Sequence, residues 1–133
     1  MNEIDNITVR QVMRQNVTMV DGSINVMQAL RTMKEVGATS LMVKRRSPGD
    51  EYGMVLFSDI AKQVIAKNRS PERVNAYEIM AKPVISVRPD MNIRYCARLF
   101  ERFGISHAPV IENDDVVGIV SYYLLVLGVL QLD

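Results

Sequence analysis

Apolar residues form two matching helical stripes along this chain. In both stripes the apolar positions follow the i, i+3, i+4, i+7 spacing: Val26, Ala29, Leu30 and Met33 in the first, and Ile93, Cys96, Ala97 and Phe100 in the second. This spacing predicts an amphipathic helix that buries one face. Ser23 and Asp90 precede the stripes and are predicted N-caps, and Gly37 and Gly104 follow them and predict left-handed C-caps.

Short β-rich apolar runs flank each predicted helix. They lie at 17–20, 41–43 and 52–57 around the first helix, and at 84–87, 108–111 and 116–120 around the second. Asp21-Gly22 and Arg88-Pro89 end the first run of each set, and Glu112 to Asp115 suits a hairpin turn. Each run therefore predicts a strand, and the first inter-strand loop, 45–51, is the longer of the two hairpin connections.

Further helices open and close each half of the pattern. Thr8 with Gln11, and Asn75 with Glu78, have the capping-box spacing and predict two short opening helices. The closing helices are predicted at 58–67 and from Ser121 to about Leu130. Ser70-Pro71 predicts an N-cap followed by proline at a first helical position. The predicted order is helix, strand, helix, strand, strand, helix, twice over, which is an α/β fold.

The same unit is used twice. The opening segment that ends at Met13 returns 67 residues later and ends at Met80, and the long helices recur at the same offset. The repeats are predicted at 1–69 and 70–133. Two copies of a supersecondary unit are expected to pack into one compact body, so function is expected between the copies.

Composition excludes several classes of function. The chain has 133 residues, with 16 Lys and Arg against 15 Asp and Glu, and these charges are scattered, so a nucleic-acid partner is not expected. The basic spots at 45–46 and 67–73 are interpreted as solvated loops. No signal peptide is apparent, the apolar stretch 122–132 is too short to span a bilayer, and one cysteine allows no internal disulfide, which together favour a cytoplasmic protein without a membrane role.

Several segments together resemble a known module. They are the two helices that end in Met13 and Met80, the stops at Gly37 and Gly104, the His107-Ala-Pro-Val strand, and the runs Gly53 to Asp59 and Gly118 to Leu124. This chain resembles a tandem pair of cystathionine β-synthase (CBS) domains, also called a Bateman module. The resemblance implies two pseudo-symmetric α/β units whose small sheets face each other across a central cleft, with two sites for adenine nucleotides or related adenosyl compounds.

The ligand motif of such modules follows the last strand of each unit as glycine, two apolar residues, Ser or Thr, two free positions and Asp. The hydroxyl would help the first helical N–H groups to hold phosphate, and the carboxylate would accept the ribose hydroxyls. Each repeat keeps half of this motif. The first has Leu56 and Asp59 at these positions, and the second has Ser121 and Leu124.

The resemblance assigns two sets of candidate ligand-binding residues. The first pocket takes Met13, Val17, Thr18, Met19, Thr39, Ser40, His107, Ile119 and Ser121, with His107 facing phosphate. The second pocket takes Met80, Val84, Ile85, Ser86, Ser106, Met54 and Asp59. Ser40 stands in the second pocket where the first has histidine, so that pocket has a ribose acceptor and little positive charge.

Each candidate also has a purely structural interpretation. His107 can be satisfied by a neighbouring backbone group, Asp59 can complement a helix dipole, and Ser121 can cap the last helix. A cap and a ligand contact do not exclude each other. Cys96 lies on a buried stripe and is interpreted as a core residue, and one cysteine with one histidine makes no zinc site.

The leading hypothesis is therefore a regulatory binding module without catalytic activity or a required cofactor. Its ligand would be AMP, ADP or ATP, or else S-adenosylmethionine or NAD, and an effector protein would respond to it. The alternative is a ligand-independent dimerisation or scaffold protein with vestigial nucleotide sites. A homodimer through the closing helices is expected in either case, because the segment 122–130 is apolar almost all round.

Overall fold

The computed structural model describes residues 3–132, which form six short α-helices and five strands. The helices are α1 (Val9–Val12), α2 (Val26–Val36), α3 (Phe57–Ile60), α4 (Ala76–Ile79), α5 (Ile93–Phe103) and α6 (Tyr122–Gly128). The strands are β1 (Met19–Val20), β2 (Ser40–Val43), β3 (Gly53–Leu56), β4 (His107–Glu112) and β5 (Asp115–Ser121). Single 3₁₀ turns occupy Glu3–Asn6 and Val129–Leu132, and a π-helical turn occupies Ala61–Ile65. The predicted α/β class is confirmed.

The chain divides into two compact units that do not coincide with the sequence repeats. Unit 2 is the continuous segment Thr18–Val84. Unit 1 combines the chain up to Val17 with the chain from Ile85 onward. Each unit therefore contains the long helix and the hairpin of one repeat together with the opening helix of the other repeat.

Unit 2 is built on a three-stranded sheet in the order β1, β2, β3. Strands β1 and β2 are parallel, with Met19 beside Met42, and β2 and β3 are antiparallel. The stripe of α2 packs on this sheet, and Val26, Ala29 and Met33 are buried as the periodicity predicted. The core of unit 2 thus lies between one sheet face and helix α2.

Unit 1 repeats this arrangement with a two-stranded sheet. Strands β4 and β5 form an antiparallel hairpin, and both turn residues, Asn113 and Asp114, have positive φ, as a tight hairpin requires. Ile93, Cys96 and Phe100 on α5 are buried against it. The predicted hairpin turn and the predicted core stripe of this repeat are both confirmed.

The predicted opening strand of the second repeat does not form. Only Val87 pairs, through a single parallel bridge to Val110. In the first repeat the Met42 N–H donates to Thr18 at 3.0 Å and the Lys44 N–H donates to Val20 at 2.9 Å. The position equivalent to Met42 is Pro109, which has no N–H. The second repeat therefore cannot form the hydrogen bond that corresponds to the one from Met42 to Thr18.

The predicted N-caps Ser23 and Asp90 are wrong by two residues. Helix α2 is capped by Asn25, whose side chain accepts the Gln28 N–H, while the Gln28 side chain accepts the Asn25 N–H, both at 2.9 Å. Ser23 instead donates its N–H to Asp21 in the preceding turn. Asn92 holds the equivalent position before α5. The predicted C-caps are confirmed, since Gly37 and Gly104 have φ of 66° and 63°.

The connection between the repeats and the closing helices also differ from prediction. Residues 71–73 form a turn in which the Arg73 N–H donates to the Ser70 carbonyl, so no helix follows Ser70. The first closing helix changes from α3 to a π-helical turn after Ile60, and the second ends as a 3₁₀ turn after Gly128.

Candidate functional site

The opening helix α1 ends against strand β5 in unit 1. Arg14 and Ile119 exchange both backbone hydrogen bonds at 2.9 Å, and the Met13 side chain lies over Gly118. A Cβ at Gly118 would lie 2.5 Å from the Met13 sulfur and 3.1 Å from the Arg14 carbonyl oxygen. The glycine of the ligand motif is therefore needed for this close approach.

The same contact occurs in unit 2 with the repeats exchanged. Ala81 and Met54 exchange backbone hydrogen bonds of 2.9 and 3.0 Å, and Met80 lies over Gly53. A Cβ at Gly53 would lie 2.5 Å from the Met80 sulfur. Met13 and Met80, two of the four methionines that the resemblance assigned to ligand sites, thus each cover the glycine that starts the motif in the other repeat.

His107 and Ser121 are brought together at the end of the hairpin in unit 1. They are directly opposed partners in the register of β4 and β5. The Ser106 Oγ lies 2.8 Å from the His107 Nδ1, and the Ser106 carbonyl accepts the Tyr122 N–H. Two hydroxyls and an imidazole, all partly exposed, therefore stand side by side where the strand passes into helix α6.

Ser121 also caps helix α6. Its Oγ accepts the Leu124 N–H at 3.2 Å. This bond uses a lone pair of the hydroxyl and leaves its hydrogen available to a ligand. The cap interpretation of Ser121 is confirmed by this geometry, and a ligand contact remains compatible with it.

Asp59 makes the complementary cap in unit 2. Its Oδ2 accepts the Leu56 N–H at 2.8 Å. The reciprocal bond of a capping box is missing, because the Leu56 side chain has no acceptor for the Asp59 N–H. The hydroxyl and carboxylate of the full motif stand at the two positions of a capping box. Each repeat has kept one half of that box. Helix capping is therefore a role that Asp59 and Ser121 fulfil without any ligand.

The predicted site residues are divided between the two units. Unit 1 holds these members of the first pocket: Met13, Val17, His107, Ile119 and Ser121. Unit 2 holds the others of that pocket: Thr18, Met19, Thr39 and Ser40. Unit 2 also holds Met54, Asp59, Met80 and Val84 of the second pocket, whereas Ile85, Ser86 and Ser106 belong to unit 1.

In unit 2 three of the predicted polar residues, Thr39, Ser40 and Asp59, lie at one end of the sheet. Ser40 stands opposite Leu56 in the β2 and β3 register, and the Thr39 carbonyl accepts the Phe57 N–H at 3.1 Å. This is the arrangement that Ser106 and His107 have in unit 1, with a serine in place of the imidazole. Unit 2 therefore offers hydroxyls and the Asp59 carboxylate at this end.

Cys96 has the properties of a core residue. Its side chain is fully buried on helix α5, and burial raises the pKa of the thiol to about 11. Residues 3–132 contain no group of three or more His, Cys, Asp and Glu side chains placed to hold a metal ion. Over the same residues, no helix is long and apolar enough to cross a membrane.

A second polar cluster was missed by sequence reasoning. In unit 2 the Asp50 carboxylate accepts from the Arg46 N–H and from the Lys82 ammonium, each at 2.9 Å. The three residues border a cavity of about 680 Å³ beyond the carboxyl ends of β1 and β2. The sequence signal was the longer loop 45–51, which was interpreted only as a solvated connection.

Comparison with known proteins gives one consistent family. The CBS domain profile matches residues 9–66 and 76–126. A homoserine O-acetyltransferase from Methanosalsum zhilinae is 37% identical over 121 residues, which are 89% of this chain but only 23% of that enzyme. The chain thus spans less than a quarter of that relative.

Solved structures support the same assignment. A hexameric CBS-CP12 protein from bloom-forming cyanobacteria is 38% identical, with a TM-score of 0.88, over 90% of this chain and 69% of that chain. The CBS domain pair of protein MJ0100, solved in complex with 5-methylthioadenosine and S-adenosyl-L-methionine, has a TM-score of 0.80 at 23% identity over 95% of this chain and 98% of that one. Because the profile matches both repeats and the fold agrees, this chain belongs to the CBS domain family as a tandem pair.

Proposed function

We propose that this chain is a regulatory module that binds an adenine nucleotide or a related adenosyl compound and does not itself catalyse a reaction. The observation that carries the proposal is the direct pairing of His107 with Ser121, with the Ser106 hydroxyl 2.8 Å from the imidazole. A cation and hydroxyl donors are the groups that bind phosphate oxygens in proteins. Core packing alone requires neither group at this partly exposed strand end.

The Ser106 contact gives His107 a defined role in this proposal. When the Ser106 hydroxyl donates to Nδ1, the neutral imidazole carries its proton on Nε2, and that N–H is a donor for a ligand oxygen. Protonation of the ring adds a positive charge. His107 and the Ser121 hydroxyl hydrogen would then bind phosphate, and Ser106 would position the ring.

In unit 2 the corresponding groups are a serine and a carboxylate. Asp59 uses one oxygen to cap α3, and its other oxygen would accept a ribose hydroxyl. Without the imidazole, this set of residues suits an adenosyl compound with little negative charge. The CBS pair of MJ0100 binds such compounds, which makes them the first ligands to test beside AMP, ADP, ATP and NAD.

A thermal-shift panel of these five ligand types tests the proposal. A ligand present at about a hundred times its dissociation constant adds roughly 2.7 kcal/mol to the free energy of unfolding. We expect at least one adenine ligand to raise the melting temperature and GTP to raise it less. No shift with any of them at millimolar concentration would reject ligand sensing and favour the scaffold alternative.

We also propose a homodimer formed through the closing segment of the second repeat. Large apolar side chains there are open to solvent in the single chain, with Tyr123 70%, Val126 68% and Leu130 63% exposed. Neighbouring exposed side chains of this size are typical of an interface between chains. Sedimentation velocity at micromolar concentration tests this, and a monomer would contradict it.

A further inference from the structure

The cavity in unit 2 that sequence reasoning missed lies at the opposite end of the sheet from Asp59. Its walls come from the turn after β1, from the end of β2 with the loop that follows, and from α4 with the segment after it. Of the predicted ligand residues it contains only Met80. It is therefore separate from the predicted phosphate and ribose contacts.

The cavity is large enough for a small molecule, and part of its wall is apolar. At about 680 Å³ it falls within the range of about 300–1,000 Å³ that ligand pockets occupy. Val43, Met80 and Tyr77 supply apolar wall, and the Tyr77 ring is more than half exposed. A flat ring would cover that exposed aromatic surface.

The charges around the cavity favour an anion. Three cationic side chains, Lys44, Arg46 and Lys82, face two carboxylates, Asp21 and Asp50. Both carboxylates are already engaged, because Asp21 accepts the Ser23 N–H and Asp50 accepts from Lys82. An incoming anion would meet Arg46, whose guanidinium lies 3.9 Å from the Asp50 carboxylate, and Lys44, which faces Asp21.

The loop that carries Arg46 is held in place over the cavity. The Asp50 carboxylate accepts the Arg46 N–H, the Asp50 N–H donates to the Ser47 carbonyl, and Lys82 ties the carboxylate to the segment after α4. Gly49 has φ of 90°, which the turn requires. A loop fixed in this way loses less conformational freedom when a ligand binds.

The corresponding region of unit 1 gives a comparison. The corresponding space there is about 220 Å³, and its charged residues are Arg88, Asp90 and Glu112, which carry a net negative charge. Glu112 is paired with Arg10, which stands at the repeat position of Tyr77. Only unit 2 has the longer loop, the larger cavity and the excess of cations.

We propose that this cavity is a ligand site of its own, for a small phosphate ester that carries a flat aromatic ring. The phosphate contacts Lys44 and Arg46, and the ring lies on Tyr77 between Val43 and Met80. This proposal does not depend on nucleotide binding at His107 and Ser121.

Phenyl phosphate is the probe, and amide chemical shifts of the full chain are the readout. We expect saturable shifts confined to the amides of Gly22, Ser23, Lys44 and Arg46, weaker shifts with inorganic phosphate, and none with phenol at the same concentration. The double variant Lys44→Ala/Arg46→Ala should weaken binding at least tenfold, because both cations of the proposed phosphate contact are removed. Tyr77→Ala should weaken binding several-fold.

Two controls make the result specific. Arg45→Ala removes the neighbouring cation, whose guanidinium lies over the Tyr52 ring and does not line the cavity, so binding should be unchanged. His107→Ala should also leave it unchanged, which separates this site from the proposed nucleotide contacts. Absence of saturable shifts in the native chain, or equal weakening by Arg45→Ala, would overturn the proposal.

Discussion

The side chain of Met13 lies against the backbone of Gly118, so the end of one repeat's opening helix fills the space that a Cβ would need on the other repeat's last strand. A Cβ there would come within 2.5 Å of the Met13 sulfur and 3.1 Å of the Arg14 carbonyl oxygen. The methionine side chain can move, whereas the carbonyl belongs to a backbone bridge to Ile119.

Gly118→Ala is therefore expected to destabilise the protein by about 1–3 kcal/mol, as overpacking of a filled site does. The urea midpoint of unfolding measures this. Adding Met13→Ala should recover part of the loss in a double-mutant cycle, because the larger of the two clashes disappears. If both Gly118→Ala and the double variant unfold at the native midpoint, the close contact is not present in solution.

Nucleotide affinity should distinguish the two half-motifs. His107→Ala is expected to weaken ATP or AMP several-fold, whereas Asp59→Asn, which keeps an oxygen that can cap α3, should change it little. Titration calorimetry on both variants gives the comparison. Unchanged ATP binding in His107→Ala beside lost binding in Asp59→Asn would show that the phosphate site has been assigned to the wrong residues.

Leu127→Asp should shift the proposed dimer toward monomer. Leu127 is 41% exposed in the single chain, so a carboxylate there is tolerated by the monomer and disfavoured in an apolar interface. Val36→Asp on α2, where the side chain is 39% exposed, is the matched control. Sedimentation should show a lower mass for Leu127→Asp alone, and an equal effect of both variants would argue against this interface.

The Asp50 carboxylate should make stability depend on pH. Its pKa lies well below the ordinary range because it accepts the Arg46 N–H, the Lys82 ammonium and the Glu51 N–H. Its contribution is therefore present above the unfolded-state pKa, about 3.9, and is lost as the pH falls below that value.

Asp50→Asn should accordingly be less stable than the native chain at neutral pH, and the difference should shrink below about pH 4. Thermal unfolding at a series of pH values measures it. Glu51→Gln, a change at the adjacent exposed acid, should not show this dependence. A constant difference for Asp50→Asn across the whole series would mean that the carboxylate charge does not contribute.

Cys96 should report global unfolding. Because the thiol is fully buried and its pKa is raised to about 11, labelling at mildly alkaline pH should be slow in the native chain and fast in denaturant. Cys96→Ser should cost about 1–3 kcal/mol of stability by burying a hydroxyl among apolar groups. Rapid labelling without denaturant would contradict the core position.

Local rules account for the features that could be predicted from the sequence. The buried stripes of α2 and α5, the stops at Gly37 and Gly104 and the hairpin turn were predicted correctly because periodicity and turn chemistry act within a few residues. The N-caps were displaced because Ser23 and Asn25 are both good caps, and only the folded turn shows that Asp21 already binds the Ser23 N–H.

Long-range partners could not be predicted from local pattern. The salt bridge between Lys82 and Asp50 joins residues that are 32 positions apart in the sequence, and neither residue belongs to a motif. The length of the loop 45–51 was therefore the one sequence feature that pointed to the cavity they border. The loss of the second repeat's opening strand depends on Pro109, a residue of its partner strand. The resemblance to the CBS family assigned Met13 and Met80 to ligand pockets, and no local pattern indicated that each lies over the motif glycine of the other repeat.

The exchange of opening helices has a consequence for any attempt to divide this protein. A fragment cut at the repeat boundary would keep an opening helix that belongs to the missing half and lack the one its own hairpin needs, so Gly53 or Gly118 would lose its methionine cover. A fragment that contains a single repeat could complete its fold only by exchanging its opening helix with a second such fragment. The tandem chain is, in this sense, a domain-swapped pair joined by a peptide linker.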